Sequence, residues 1–164
     1  MEIKSTLKSR LSGIVPVIYR DIESIEELGD RTIHGVHAYC FCGDELVIVY
    51  SDMKGYWTPP GGGVELGESV EDALVREVLE ETNMRVLVQH VFGYQEVFEP
   101  HRTTMQVRAV CIVEPIGPFV ADADPNGDVT EIKLIDPKDI KQYFDWGEIG
   151  AHVLARALEL KESL

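Results

Sequence analysis

The chain reads as short β-type runs broken by turn residues, with two stretches of helical periodicity. Runs 35–41 and 46–50 are rich in β-branched, aromatic and other apolar residues and predict two strands. Cys42-Gly43-Asp44-Glu45 lies between them, and its Gly-Asp pair marks a hairpin turn. A Gly- and Pro-rich loop follows over 51–67. Further β-type runs come at 85–92, 105–113 and 129–135, with an acidic loop containing Pro and Gly, 115–128, before the last.

Helical spacing is clearest from Ser69 to Thr82. Ser69 is a good N-cap, Glu71 and Asp72 suit the positive first turn, and Asn83 tolerates the left-handed conformation that ends a helix. A second helix is expected over 149–161, with Val153, Leu154, Ala157 and Leu160 on its apolar face. This order of elements predicts an α/β fold, a mixed sheet between helices.

Residues 1–33 read as an extension packed on a domain of residues 34–164. It holds an apolar run at 14–19, read as a strand, and Ile22, Ile25 and Leu28 at helical spacing. Ser12, Gly13 and Pro16 interrupt the early apolar stretch and argue against a signal peptide, and no later run is long enough to span a bilayer.

Composition narrows the chemistry. The 164 residues carry 15 Lys and Arg against 29 Asp and Glu, a formal charge of -14, which opposes binding to nucleic-acid polymers or acidic membranes. An acidic protein that handles phosphates needs something to offset the repulsion, and a divalent cation held by clustered carboxylates does this. Cys40, Cys42 and Cys111 make an odd set without a CxxC pair, which fits a reducing, cytoplasmic setting better than a disulfide framework or a zinc site.

On the predicted helix, Leu74, Val75, Val78 and Leu79 fall on one arc and Glu77, Glu80 and Glu81 on a neighbouring one. Like charges three and four residues apart repel by about 0.2–0.5 kcal/mol per pair, a sign that a bound cation reverses. An acidic stripe alone is more often a solvated surface. The preceding loop, Trp57-Thr-Pro-Pro-Gly61-Gly62-Gly63-Val-Glu-Leu-Gly67-Glu68, changes those odds, because its glycines let backbone approach a ligand closely.

Gly62, five residues, Glu68, seven residues, then Arg76-Glu77-Val78-Leu79-Glu80-Glu81-Thr82-Asn83-Met84 resembles the Nudix box, Gly-x5-Glu-x7-Arg-Glu-U-x-Glu-Glu-x-Gly-U with U apolar. Asn83 stands where the family has Gly, an exchange between the two residues most tolerant of a left-handed helix end. Pro59 replaces the family's usual larger apolar residue before Pro-Gly-Gly.

The resemblance implies an α/β/α sandwich and a pyrophosphohydrolase, similar to the MutT and ADP-ribose pyrophosphatase groups. It implies Mg²⁺ or Mn²⁺ held by Glu80, Glu81 and the Gly61 carbonyl, with Glu77 as a further ligand or a water-orienting carboxylate and Arg76 orienting Glu77. Glu68 either sits near the metal or holds the loop. The general base in such proteins often lies outside the box, and Asp122, Asp124, Asp128 and Glu131 are the candidates, with Glu131 or Asp128 preferred. The implied substrate is a small nucleoside diphosphate derivative. A nucleotide-binding sensor of the same fold and a hydrolase of non-nucleotide diphosphates are the alternatives.

Residues available to contact substrate are Lys54, Tyr56, Tyr94, Phe98, His101 and Arg102. Pro100 lies at the distance past the box where the ADP-ribose pyrophosphatase group has a proline. His34, His37, His90 and His152 lack ligand spacing and read as structural, and Trp57 reads as packed against its own loop. Dimerisation is common among such folds, and the extension could provide a homodimer's contact surface by exchange of the 14–19 strand.

Overall fold

The computed structural model describes residues 1–121 and 128–164. Nine strands and two α-helices appear in the order β1 (Glu2–Ser9), β2 (Gly13–Asp21), β3 (Gly35–Cys42), β4 (Glu45–Ser51), β5 (Tyr56–Thr58), β6 (Gly61–Gly63), α1 (Val70–Thr82), β7 (Met84–Glu99), β8 (Arg102–Pro115), β9 (Val129–Ile135) and α2 (Gly147–Lys161). Short 3-10 turns lie at Ile25–Leu28 and Pro137–Gln142.

The strands form one sheet in the order β1-β2-β7-β8-β3-β4-β5, with β6 on β3 and β9 on β4. β3 and β8 run parallel, from Gly35↔Gln106 to Phe41↔Ile112, while the other pairs are antiparallel. The sheet is therefore mixed, as expected.

Alternation along β3 explains the layering, because successive side chains point to opposite faces. Val36, Ala38 and Cys40 meet Ala73, Leu74 and Val78 of α1 on one face. Tyr39 and Phe41 meet Ile149, Val153 and Ala157 of α2 on the other. The result is the expected α/β/α sandwich. Leu74 is fully buried, and burying such a side chain contributes roughly 1.5–3 kcal/mol.

The ends of α1 follow the sequence. The Ser69 hydroxyl accepts from the Asp72 N–H at 3.1 Å. Asn83 takes φ 55°, its N–H closing on the Leu79 carbonyl at 3.0 Å.

Two local expectations need correction. The runs expected at 85–92 and 105–113 extend well past those bounds: β7 and β8 form one long hairpin, paired from Met84↔Pro115 to Glu99↔Arg102. Polar residues such as Gln95, Glu96 and Glu99 hide the strand pattern, and β7's other neighbour is β2, eighty residues away by register at Val17↔Val97. Residues 1–33 also supply two strands rather than one. In β1, Ile3 and Leu7 are the apolar residues turned to the α2-side core, which leaves little periodicity to see.

β2 pairs within the chain on both sides, with β1 from Gly13 to Arg20 and with β7 from Val17 to Asp21. Asp21 ties this hairpin to α2, lying 2.9 Å from His152 Nε2 and 3.5 Å from Arg156 Nε, and it accepts from the Tyr19 hydroxyl at 3.0 Å. No helix among the described residues is long and apolar enough to cross a membrane.

Candidate active site

β6 runs beside the start of β3, with His37↔Gly61, Val36↔Gly62 and Gly35↔Gly63 in register. This pairing holds the glycine loop against the glutamate face of α1. The Gly61 N–H donates to Glu81 Oε1 at 2.6 Å, joining loop and helix directly.

The glycines are sterically required here. A Cβ on Gly62 would stand 2.5 Å from Glu77 Oε1, and one on Gly61 would stand 2.1 Å from the Val36 carbonyl oxygen. Only bare backbone leaves room for the Glu77 carboxylate against the loop.

Arg76 organises the acids. It grips Glu68 at two points, Nε to Oε2 at 2.7 Å and Nη2 to Oε1 at 2.9 Å, and reaches Glu77 Oε1 at 2.9 Å and Glu80 Oε2 at 3.3 Å. Nη2 also donates to the Gly63 carbonyl at 2.9 Å. The hydrogen bonds from Arg76 lower the Glu68 carboxyl from its ordinary 4.5 to about 2, and the Arg76 pKa is raised in return, chiefly by Glu68. Of the two readings for Glu68, the geometry shows the loop-holding one: its Oε1 also accepts from the Glu65 N–H at 3.0 Å.

Glu77 and Glu81 are buried, and Glu80 is half-buried. Among the described residues, no three His, Cys, Asp or Glu side chains stand together as a finished cation cage, and Arg76 reaches Glu68, Glu77 and Glu80 at once. The donor chemistry nevertheless fits a hard divalent ion: carboxylate and peptide oxygens, grouped around a glycine cradle that a single methyl group would fill.

The other sequence candidates are scattered. Tyr94 is buried in the α1-side core beneath the Arg31 guanidinium, 5.4 Å from its ring. Phe98 is half-buried on β7, and His101 and Arg102 are exposed at the hairpin tip. From Gln106, level with Gly35 beside the glycine loop, the tip lies about 17 Å further along β8 at ~3.3 Å per residue. Tyr56 is exposed on β5.

Glu131 is exposed on β9 opposite Tyr50, with Asp128 just before the strand. Glu131 alternates with Ile132, which packs on the α1-side core, so the Glu131 side chain leaves the sheet on the α2 side. Asp122 and Asp124 lie outside the described residues. Trp57 packs as expected, against Tyr50 and Tyr143 at 5.2 and 5.8 Å between ring centroids.

A group that sequence reasoning set aside does gather near the loop. His37, level with Gly61, has Arg108 as its partner across β3 and β8, and both side chains meet the Trp146 ring. Burial pushes the His37 pKa well down, with the charges of Arg108 and Lys54 adding to the effect. Of the expected substrate residues, Lys54 is the one whose charge acts on His37. No spacing rule connects positions 37 and 108, which the β3–β8 register unites, or foretells that the Trp146 ring before α2 packs on both.

The NUDIX domain profile matches residues 34–157. The chain belongs to the Nudix family. It is 39% identical over 50 residues to an uncharacterized Nudix hydrolase of Bacillus subtilis, covering 30% of this chain and 32% of that one. It is 32% identical over 105 residues to an ADP-ribose pyrophosphatase of Methanocaldococcus jannaschii, covering 57% of this chain and 60% of that one. These alignments thus span about a third to three-fifths of the relatives' lengths.

Among solved structures, a pyrophosphohydrolase of Bacillus subtilis superimposes with a TM-score of 0.70 at 21% identity, covering 97% of each chain. At that identity the likeness speaks to the Nudix fold. The superposition runs through the β1–β2 hairpin as well as the profile-matched region.

Proposed function

We propose that this Nudix chain is a Mg²⁺- or Mn²⁺-dependent pyrophosphohydrolase, cleaving the diphosphate linkage of a nucleoside diphosphate derivative to a nucleoside monophosphate and a second phosphorylated product. The observation that carries this reading is the gathering of Glu77, Glu80 and Glu81 on α1 against the glycine cradle, held by the Arg76–Glu68 clamp. The pyrophosphatase name of the Methanocaldococcus relative supports the reaction class and puts ADP-ribose first among substrates to try.

Glu77, Glu80, Glu81 and the Gly61 carbonyl would hold the ion. When bound, it offsets the negative charge of the diphosphate and acidifies an attacking water. The chain's own residues prepare the ground. Arg76 fixes Glu77 and Glu80 in place, so their carboxylates need little rearrangement, and Glu81 pins the loop through Gly61. Arg76 also offsets part of the repulsion among these acids. Of the two preferred carboxylates outside the box, Asp128 serves as the base in this proposal, taking the proton from water, because Glu131 leaves the sheet on the face away from α1.

The three cysteines are free, with Cys40 and Cys111 buried face to face across β3 and β8, which supports a reducing cytoplasmic setting.

The test is an assay with Mg²⁺ and with Mn²⁺ over ADP-ribose, nucleotide sugars, nucleoside triphosphates and prenyl diphosphates, reading phosphate after a coupled phosphatase. Release from a nucleoside diphosphate derivative is expected. A fastest rate on prenyl diphosphate would overturn the nucleotide preference, and silence across the panel would overturn the enzyme.

A further inference from the structure

Arg108 is 3% exposed. Its guanidinium donates to the Val107 carbonyl at 3.3 Å and to Gln106 Oε1 at 3.4 Å, both long bonds to neutral acceptors. Among the described residues it forms no ion pair, although the chain carries almost twice as many acids as bases. An unpaired buried ion costs several kcal/mol, and an apolar side chain of the same volume would avoid that cost. Arg keeps its charge under such conditions. The site therefore holds positive charge that the described protein groups do not neutralise.

His37 faces the same space. It is the direct cross-strand partner of Arg108, its Nδ1 is buried without a hydrogen-bond partner, and its ring meets Trp146 edge-on at 5.4 Å. The Arg108 guanidinium lies 5.8 Å from the same Trp146 ring. Lys54, exposed on the turn after β4, adds a second positive charge close enough to act on His37. A neutral base could stack on Trp146, but it would leave the Arg108 charge uncompensated. An anion satisfies the guanidinium fork, and the orphan His37 nitrogen gains a partner if its tautomer carries the proton there.

The position also matters. His37 is level with Gly61, whose N–H is held by Glu81, so the β3–β6 pairing links the strand that carries this cationic corner to the acidic cluster on α1.

We propose that Arg108, His37 and Lys54 form a phosphoryl-binding subsite on the α2 face of the sheet, walled by Trp146, which seats a phosphate group beside the acidic cluster. Its assignment to the substrate of hydrolysis rests on the function proposed above, whereas the binding of phosphate does not.

Equilibrium binding to the full chain in EDTA separates the two. Calorimetry with inorganic pyrophosphate, inorganic phosphate and adenosine compares wild type with Arg108→Met, Arg108→Lys and Lys54→Met. Wild type is expected to bind pyrophosphate saturably, with affinity at least tenfold weaker in Arg108→Met and several-fold weaker in Lys54→Met. Arg108→Lys keeps the charge but not the fork and is expected to fall between. Adenosine binding should be unchanged throughout.

Tighter pyrophosphate than phosphate assigns the subsite to the substrate, and equal affinities assign it to the released product. Both uphold it. Pyrophosphate binding that is absent from wild type, unchanged in folded Arg108→Met, or replaced by Arg108-dependent adenosine binding overturns it. Should Arg108→Met fail to fold, unchanged binding in both Arg108→Lys and Lys54→Met overturns it equally. Absence of turnover in the substrate assay would remove the hydrolase reading while leaving this measurement intact.

Discussion

Arg76 and Glu68 form a two-point ion pair across the loop that precedes α1, with Nε–Oε2 at 2.7 Å and Nη2–Oε1 at 2.9 Å. The pair links the loop part of the sequence motif to its helical part, so that the loop cannot shift without moving the residue that holds Glu77 and Glu80. Loop and helix thereby behave as one rigid support for the acidic cluster.

The pair should be visible in acid stability. Glu68 titrates at about 2 in the folded chain against an ordinary 4.5. A depressed carboxylate pKa means that the contribution is complete above pH 4.5 and is lost as pH falls through about 2. The melting temperature of Glu68→Gln is thus expected to lie below that of wild type at pH 7, with the gap closing toward pH 2. A gap that stays constant from pH 7 to 2 would remove this ion pair from the account.

Two glycines one position apart should fail differently. Gly61→Ala drives a methyl group into the Val36 carbonyl, which is strand backbone, so a loss of about 1–3 kcal/mol in urea unfolding is expected. Gly62→Ala meets only the side-chain end of Glu77 rather than backbone. Its stability should stay within about 1 kcal/mol of wild type, while a displaced carboxylate lowers kcat by roughly a hundredfold. Equal activity in Gly62→Ala and wild type would show that Glu77 is not needed where it stands.

The acidic helix and its loop could be read directly because each rule they obey is local. Ser69 caps the helix, Asn83 ends it, and the glutamates share an arc by helical periodicity alone. The mixed sheet and both helices followed from the same kind of pattern. What escaped was non-local. Strand β1 depends on β2 for its pairing, and the middle of β7 depends on β2 arriving from the N-terminus. His37 and Arg108 are seventy-one positions apart and meet only through the parallel β3–β8 register. Tyr94, expected to be available to substrate, became core for the same reason, because once 92–99 is strand its ring must take a face.

Asn83 tests the exchange at the helix end. Its left-handed φ of 55° favours Gly or Asn, and its side chain donates to the Pro118 carbonyl at 2.8 Å. Asn83→Gly relieves backbone strain but loses that hydrogen bond, so a change within about 1 kcal/mol is expected. Asn83→Val loses the bond and adds the left-handed penalty, giving roughly 2–3 kcal/mol. Turnover per folded molecule should be unchanged in both. If Asn83→Val were as stable as Asn83→Gly, the helix end would not be strained as described.

Glu81 offers the sharpest separation of folding from chemistry. Its Oε1 accepts from the Gly61 N–H at 2.6 Å, a bond the amide oxygen of Gln can also accept. Glu81→Gln should therefore keep the loop on the helix, with circular dichroism and melting temperature close to wild type. What it removes is a negative charge from the proposed ion site. Turnover with saturating Mg²⁺ is expected to fall at least a hundredfold, about 2.7 kcal/mol of transition-state stabilisation. EDTA should bring wild type to the same floor, and restored Mg²⁺ should rescue wild type but not the variant. A folded Glu81→Gln protein turning over at the wild-type rate would mean that this carboxylate only fastens the loop, and that any ion is held by other oxygens.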